Sequence, residues 1–165
     1  MHPAPWSRYL IGISVTFSLL MAGISTWILV LERGPWGVGL LPVVMVVTSA
    51  LFQVRGYTVG PGGLQIHRLL WTTRVGLDGL EEVLRDPEAM RGSLRLLGNG
   101  GLFSFTGLFR NRTLGMYRAF VTDPRRAVVL RLPRRTVVVS PADPEAFVRD
   151  VKEVVRSGRA GIVQG

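Results

Sequence analysis

Cysteine is absent from this 165-residue chain. Disulfide frameworks, thiolate metal sites and cysteine nucleophiles are therefore excluded. Histidine is almost absent: His2 and His67 are the only two, far apart in sequence. The chain has no Gly-x-Ser-x-Gly elbow, no histidines paired at helical spacing and no acidic metal cluster. The sequence thus predicts no enzyme, no cofactor and no metal. Basic runs never exceed two residues, and no recognition-helix or base-stacking motif is present. The formal charge of +9 accordingly does not predict a nucleic-acid partner.

Charge of either sign is also missing from the first third of the chain. Up to Val54 the charged side chains are Arg8, Glu32 and Arg33, a net of +1, whereas Arg55 onward carries 18 basic and 10 acidic residues. Two physical environments meet near Val54. Tyr9 to Leu31 is an uncharged run of 23 residues, about 35 Å as a helix, and a hydrocarbon core is about 30 Å thick. Gly34 to Val54 is a second uncharged run, of 21 residues. Backbone in lipid must pair its own polar groups, so both runs are predicted as helices, over about 9–31 and 36–54. The short link between them makes the pair an antiparallel hairpin. The first run is longer than the apolar region of about 7–15 residues in a cleaved signal peptide and lacks a small-x-small site after it.

Basic residues near the helix ends set orientation. Arg8 precedes the first run, and Arg55, Arg68 and Arg74 follow the second, while Arg33 in the link is offset by Glu32. The expectation is a multi-pass protein of a bacterial inner membrane with both termini cytoplasmic. Residues 1–8 would form a cytoplasmic N-terminus, 9–54 the hairpin, 55–157 a cytoplasmic domain and 158–165 a flexible tail. Ser14, Ser18 and Ala22 recur every four residues and form a small-residue packing face, for the second helix or for another copy of the chain.

The remainder reads as mainly β. Tyr57-Thr58-Val59 and Leu64–His67 flank Gly60-Pro61-Gly62-Gly63, a strong turn signal. Further strands are expected at Arg74–Leu77, Ser93–Leu97 and Leu114–Val121, then a hairpin of Ala127–Leu132 with Thr136–Ser140. Asp78-Gly79-Leu80-Glu81 has capping-box spacing and predicts a short helical turn. Asp143 and Pro144 open a final helix whose apolar stripe is Phe147, Val148, Val151, Val154 and Val155, with Ser157-Gly158 as its end. Gly98 to Gly107 is a glycine-rich loop. It lacks the Gly-Lys-Ser/Thr ending of a phosphate-binding loop, so its glycines are assigned to positive φ.

Particular stretches carry a family resemblance. They are Gly98–Phe103, Gly107 and Phe109, Leu114–Asp123, Ala127–Leu130, and Thr136 through Phe147 with its Pro-Ala-Asp-Pro-Glu segment. On these the chain resembles bacterial membrane-anchored proteins with a pleckstrin-homology-like domain. The resemblance implies a bent sheet or partly open barrel of about seven strands, closed by a C-terminal amphipathic helix, without enzymatic activity. Two roles fit. One is a binding module for a protein, a peptide or a lipid headgroup; the other is a structural or assembly subunit that oligomerises or accompanies a larger membrane complex. Phe103, Phe105 and Phe109 with Arg110 and Arg112 are the candidate contact with anionic membrane lipids.

Overall fold

The computed structural model describes residues 1–31 and 35–162. The chain opens with a two-residue strand, β1 (His2–Pro3), and then α1 (Arg8–Thr26), which continues through a wider π turn over Trp27–Leu31. Ser7 caps α1, its Oγ accepting from Leu10 N at 3.1 Å. Arg8–Val30 is long and apolar enough to cross a membrane, and most of it is exposed. α2 (Trp36–Leu51) is apolar but shorter, at 16 residues. The second uncharged run was expected to be helical to residue 54. It stops at Leu51 because Val54 is needed elsewhere: it is fully buried in the domain core and pairs with Arg68. An apolar last helical turn and an apolar first strand residue read alike in sequence. The linking residues Glu32, Arg33 and Gly34 lie outside the described residues.

α1 and α2 run antiparallel in contact. Ser25 Oγ donates to Gly39 O at 2.5 Å, and Gly39 is buried under the Leu29 side chain where a Cβ would collide. The three residues expected on one face of α1 differ in exposure. Ser14 and Ser25 are buried and Ser18 is half-buried, but Ala22 is exposed. Steps of four residues drift by about 40° each around a helix of 3.6 residues per turn, so a face is held by mixing steps of four and three. The sequence 14, 18, 21, 25 does so, and Met21 takes the place assigned to Ala22.

Nine strands follow: β2 (Val54–Gly60), β3 (Gly63–Arg68), β4 (Thr72–Val75), β5 (Glu82–Arg85), β6 (Leu94–Leu102), β7 (Ser104–Asn111), β8 (Gly115–Val121), β9 (Val128–Leu132) and β10 (Arg135–Val139). They form two sheets, β1-β2-β3-β4 and β5-β9-β10-β8-β7-β6, with β10 parallel to β8 and the other pairs antiparallel. Two strands exceed the expected seven. β5 lies just after the helical turn expected at Asp78–Glu81, which is not formed: Glu81 N donates to Arg131 O at 2.9 Å, so the sheet takes the backbone. β7 lies in the glycine-rich stretch, which is a bent hairpin rather than a loop. Gly98 and Gly107 sit opposite each other with φ of +105° and +143°, and a Cβ on either would strike the other strand's backbone.

α3 (Pro144–Ile162) closes one end of the bent sheets. Asp143 is its N-cap, with Oδ1 accepting from Ala146 N at 2.9 Å and Glu145 N at 3.1 Å. These bonds, Ala146 first, hold the Asp143 carboxyl below the usual carboxylate range. Phe147 and Val151 are fully buried among Tyr57, Leu64, Ile66, Leu130 and Val139. The helix runs past Ser157-Gly158 to Ile162, so the tail expected from 158 begins later, and residues 163–165 lie outside the described residues. A second cluster, around Phe109, Tyr117, Ala119, Val129 and Val138, packs the opposite face of the larger sheet.

The residues before α1 are docked on the domain. β1 pairs with β2, His2 opposite Tyr57 and Pro3 opposite Gly56. Beyond the strand, Ala142 N donates to Pro3 O at 2.8 Å and Thr122 Oγ1 to Pro5 O at 2.7 Å. The His2 ring stands edge-on to Phe147 and bonds Asp150 at 2.8 Å.

Candidate functional site

The bases of α1 and α2 meet the domain at two hairpin tips. The first is the turn between β6 and β7. Phe103 occupies it with φ of +62°, the one non-glycine residue with positive φ among the described residues. Its backbone N–H donates to Ser14 Oγ at 2.9 Å, and its ring lies 6.1 Å from that of Trp6. Next to it Ser104 Oγ donates to Phe52 O, at the end of α2, at 3.3 Å. This tip therefore ties both helices to the sheet, and Ser14, on the buried face of α1, takes part in that junction.

The second tip joins β3 to β4. Turns are normally polar, yet this one is Leu69-Leu70-Trp71, all exposed. The Trp71 ring packs edge-to-face on Phe52 at 5.1 Å. Arg68 stands behind it, its guanidinium carbon 5.2 Å from the Phe120 ring centre, 5.5 Å from that of Trp71 and 5.6 Å from that of Phe52. Ring faces attract a cation, though less than a carboxylate would. Arg68 Nε is buried without a hydrogen-bond partner among the described residues. Burial lowers the pKa of this guanidinium from its ordinary value.

Between the helices and the concave face of β6–β7–β8 lies an open cavity of about 850 Å³. One wall is mainly apolar: Ile13 and Phe17 from α1 and Met45 from α2, with Thr48 and Ser49 of α2 beside them. The other carries Arg68, Arg95 and Arg118, from three different strands. Among the described residues no carboxylate lines this cavity and none forms an ion pair with these arginines. The paired glycines Gly98 and Gly107 belong to the wall. Their lack of side chains lets β6 and β7 approach and bend around the space.

The aromatic and basic residues singled out in the sequence are not brought together. Phe109 is buried, stacked on Tyr117 at 6.0 Å in the second cluster, and is no surface contact. Phe105 is half-buried against the same cluster. Arg110 and Arg112 are exposed, but at the end of β7 away from Phe103, about 23 Å along the strand at 3.3 Å per residue. Phe103 alone reaches the helix junction. The cavity arginines and Leu69–Trp71 carried no periodic signal. The available hint was an apolar triplet in a turn, between Arg68 and Arg74.

Two bent sheets, antiparallel but for the β8–β10 pair, are capped by one C-terminal helix. Residues 55–155 match the family described as Bacterial PH domain. The chain belongs to that family. No curated protein and no solved structure matches it. The match begins one residue after Val54, so the PH domain starts where the uncharged stretch ends. β1, α1, α2 and the docked N-terminal segment lie outside it. Within the PH domain, the arginine-lined wall is the concave face turned toward those added helices.

Proposed function

We propose that this protein is a non-enzymatic binding module. Its PH domain is held at the inner face of a bacterial cell membrane by the α1–α2 hairpin, where it recognises a protein, a peptide or a lipid headgroup. The observation that carries this reading is the docking of residues 2–7 on the domain. A segment that precedes α1 and a domain that follows α2 share backbone hydrogen bonds, so both ends of the helix pair are on one side. An apolar pair entering and leaving on one side is the geometry of a double crossing. α2 alone spans about 24 Å at 1.5 Å per residue, short of a hydrocarbon core of about 30 Å. Local thinning accommodates such a mismatch, and the exposed Leu69-Leu70-Trp71 tip prolongs the apolar surface beyond Phe52.

The absence of cysteine makes the topology test direct. Gly37→Cys and Ser157→Cys are each labelled with a membrane-impermeant maleimide in intact and in lysed cells. The reading expects Gly37→Cys to react in intact cells and Ser157→Cys to react after lysis. Labelling of Ser157→Cys from outside overturns the orientation.

The assembly-subunit reading draws support from one feature. Ala22 faces away from α2 and is exposed, leaving part of the small-residue stretch of α1 open to another chain. Disulfide crosslinking of Ala22→Cys within native membranes supports it; the absence of a dimer band counts against it.

A further inference from the structure

We propose that the cavity between the helix pair and the concave face of the sheet is a binding site for one anionic phospholipid. Its phosphate would be held by Arg68, Arg95 and Arg118, and an acyl chain would lie along Ile13, Phe17 and Met45. The inference rests on the membrane-tethered reading above and deepens it by naming the ligand class and the site.

The chemistry of the two walls carries the argument. Three arginines from separate strands line one cavity, with no carboxylate among its lining or paired to them among the described residues. A cluster of like charges is costly unless an anion joins it, and guanidinium is suited to phosphate oxygens. Arg68 adds an independent sign. Its Nε is buried without a hydrogen-bond partner among the described residues, an arrangement that a buried donor rarely keeps unless something completes it. The opposite wall excludes a small free anion as the full complement. It is built from α1 and α2 and is mainly apolar, with Ile13, Phe17 and Met45 beside the two hydroxyls of Thr48 and Ser49. The ligand that uses both walls has a charged head joined to a hydrocarbon tail. Zwitterionic lipids would bring an ammonium group to a cavity lined by arginines alone among the charged residues, so the match is to a lipid with net negative charge.

The size agrees. About 850 Å³ falls within the roughly 300–1,000 Å³ of small-molecule sites. It holds a phosphoglycerol head and the upper part of its chains, the remainder lying in the surrounding bilayer. The bend that creates the space is written in Gly98 and Gly107, which explains why this hairpin gives up side chains at two facing positions.

The test uses the full-length protein in detergent, mixed with equal amounts of phosphatidylglycerol and phosphatidylcholine, with retained lipid read by native mass spectrometry. Arg68 packs against three rings, so its replacement risks the fold. The variant is therefore Arg95→Gln with Arg118→Gln, both at exposed positions. Its control is Arg110→Gln with Arg112→Gln, the same loss of charge on the same domain away from the cavity. The expected result is one retained phosphatidylglycerol on the wild type and on the control, reduced roughly tenfold or more in the cavity variant, with phosphatidylcholine unselected throughout. Equal retention of the two lipids, or equal losses in both variants, overturns the proposal. So does full displacement of the lipid by millimolar inorganic phosphate, which would make the site one for a free anion. Carbonate extraction of native membranes separates this proposal from the reading beneath it. A protein that stays in the membrane but selects no lipid sinks the site alone. One that is extracted sinks the tether as well.

Discussion

The two ends of the PH domain are finished in opposite ways. At one end α3 drives Phe147 and Val151 into the bent sheets, β1 adds a strand, and the interior is closed by side chains of this chain. At the other, the concave face of β6–β8 turns toward α1 and α2, and a cavity remains between them with arginines on its wall. Protein interiors pack to the density of organic crystals, and gaps larger than a water molecule are few. A chain that closes one end so fully has the means to close the other. The difference locates tight packing at the α3 end and leaves an open cavity at the helix-facing end, the place of the lipid site proposed above.

The sharpest way to break that contrast is Phe147→Ala. The side chain is fully buried beside Tyr57 and His2. Removing a buried Phe of this kind costs about 3–5 kcal/mol, a large part of the roughly 5–15 kcal/mol that holds a domain of this kind together. Chemical denaturation of the full chain in detergent should show the unfolding free energy fall by that amount. A loss below about 1 kcal/mol would mean that α3 is an accessory and that the two ends are not so different.

Tyr57 tests the same closed end at a finer scale. Its hydroxyl donates to Phe120 O at 2.6 Å and accepts from Ser140 N at 3.1 Å, entirely out of solvent. Tyr57→Phe strands both partners and is expected to cost about 1–3 kcal/mol at neutral pH. Burial, opposed in part by the Ser140 bonds, raises the Tyr57 pKa to about 12. The unfolded chain ionises near the ordinary value of about 10. A raised folded-state pKa gives stability that is full below about pH 10 and is lost as pH rises toward 12, here ~3 kcal/mol at 1.36 kcal/mol per unit. Burial also raises the Tyr117 pKa, so wild-type stability falls with both groups. The difference between wild type and Tyr57→Phe across pH 10–12 isolates Tyr57. Parallel curves would show that its hydroxyl is not closed off.

How much of this was legible follows the same division. The closed end was written in plain periodicities: Asp143-Pro144 opens α3, its stripe is the buried face, and the Val137–Val139 run is buried on both sides. The boundary near Val54 was visible as a change in charge. The open end was not legible, for physical reasons. Gly98–Gly107 reads as a loop because glycine signals positive φ; whether positive φ serves a turn or a bent strand depends on what lies across from it, here each glycine's own partner. Arg68, Arg95 and Arg118 are separated by 27 and 23 positions in the chain, and converge only through strand pairing. Phe109 and Arg110 are neighbours in sequence, and alternation along β7 puts one in the core and the other in solvent. The docking of His2–Ser7 left no trace in sequence, since a short segment rich in proline pairs only when a strand edge is presented to it.

The smallest expected effect decides what the open end is for. Arg95→Gln with Arg118→Gln should change the unfolding free energy of the detergent-solubilised chain by less than about 0.5 kcal/mol, the usual range for surface positions away from a structural role. Both side chains are exposed and neither joins an ion pair among the described residues; Arg95 makes one long bond, to Gly98 O at 3.3 Å. Removing two positive charges from a chain of net charge +9 also relieves repulsion, which pushes the result toward zero or slightly stabilising. A loss above about 1.5 kcal/mol would place these arginines in the same category as Phe147, holding the β6–β8 wall in shape. The contrast between the two ends would then be one of packing density alone. A null effect on stability with a changed lipid profile separates the roles: the α3 end keeps the fold, and the arginines of the other end hold charge in reserve for an anion from the bilayer.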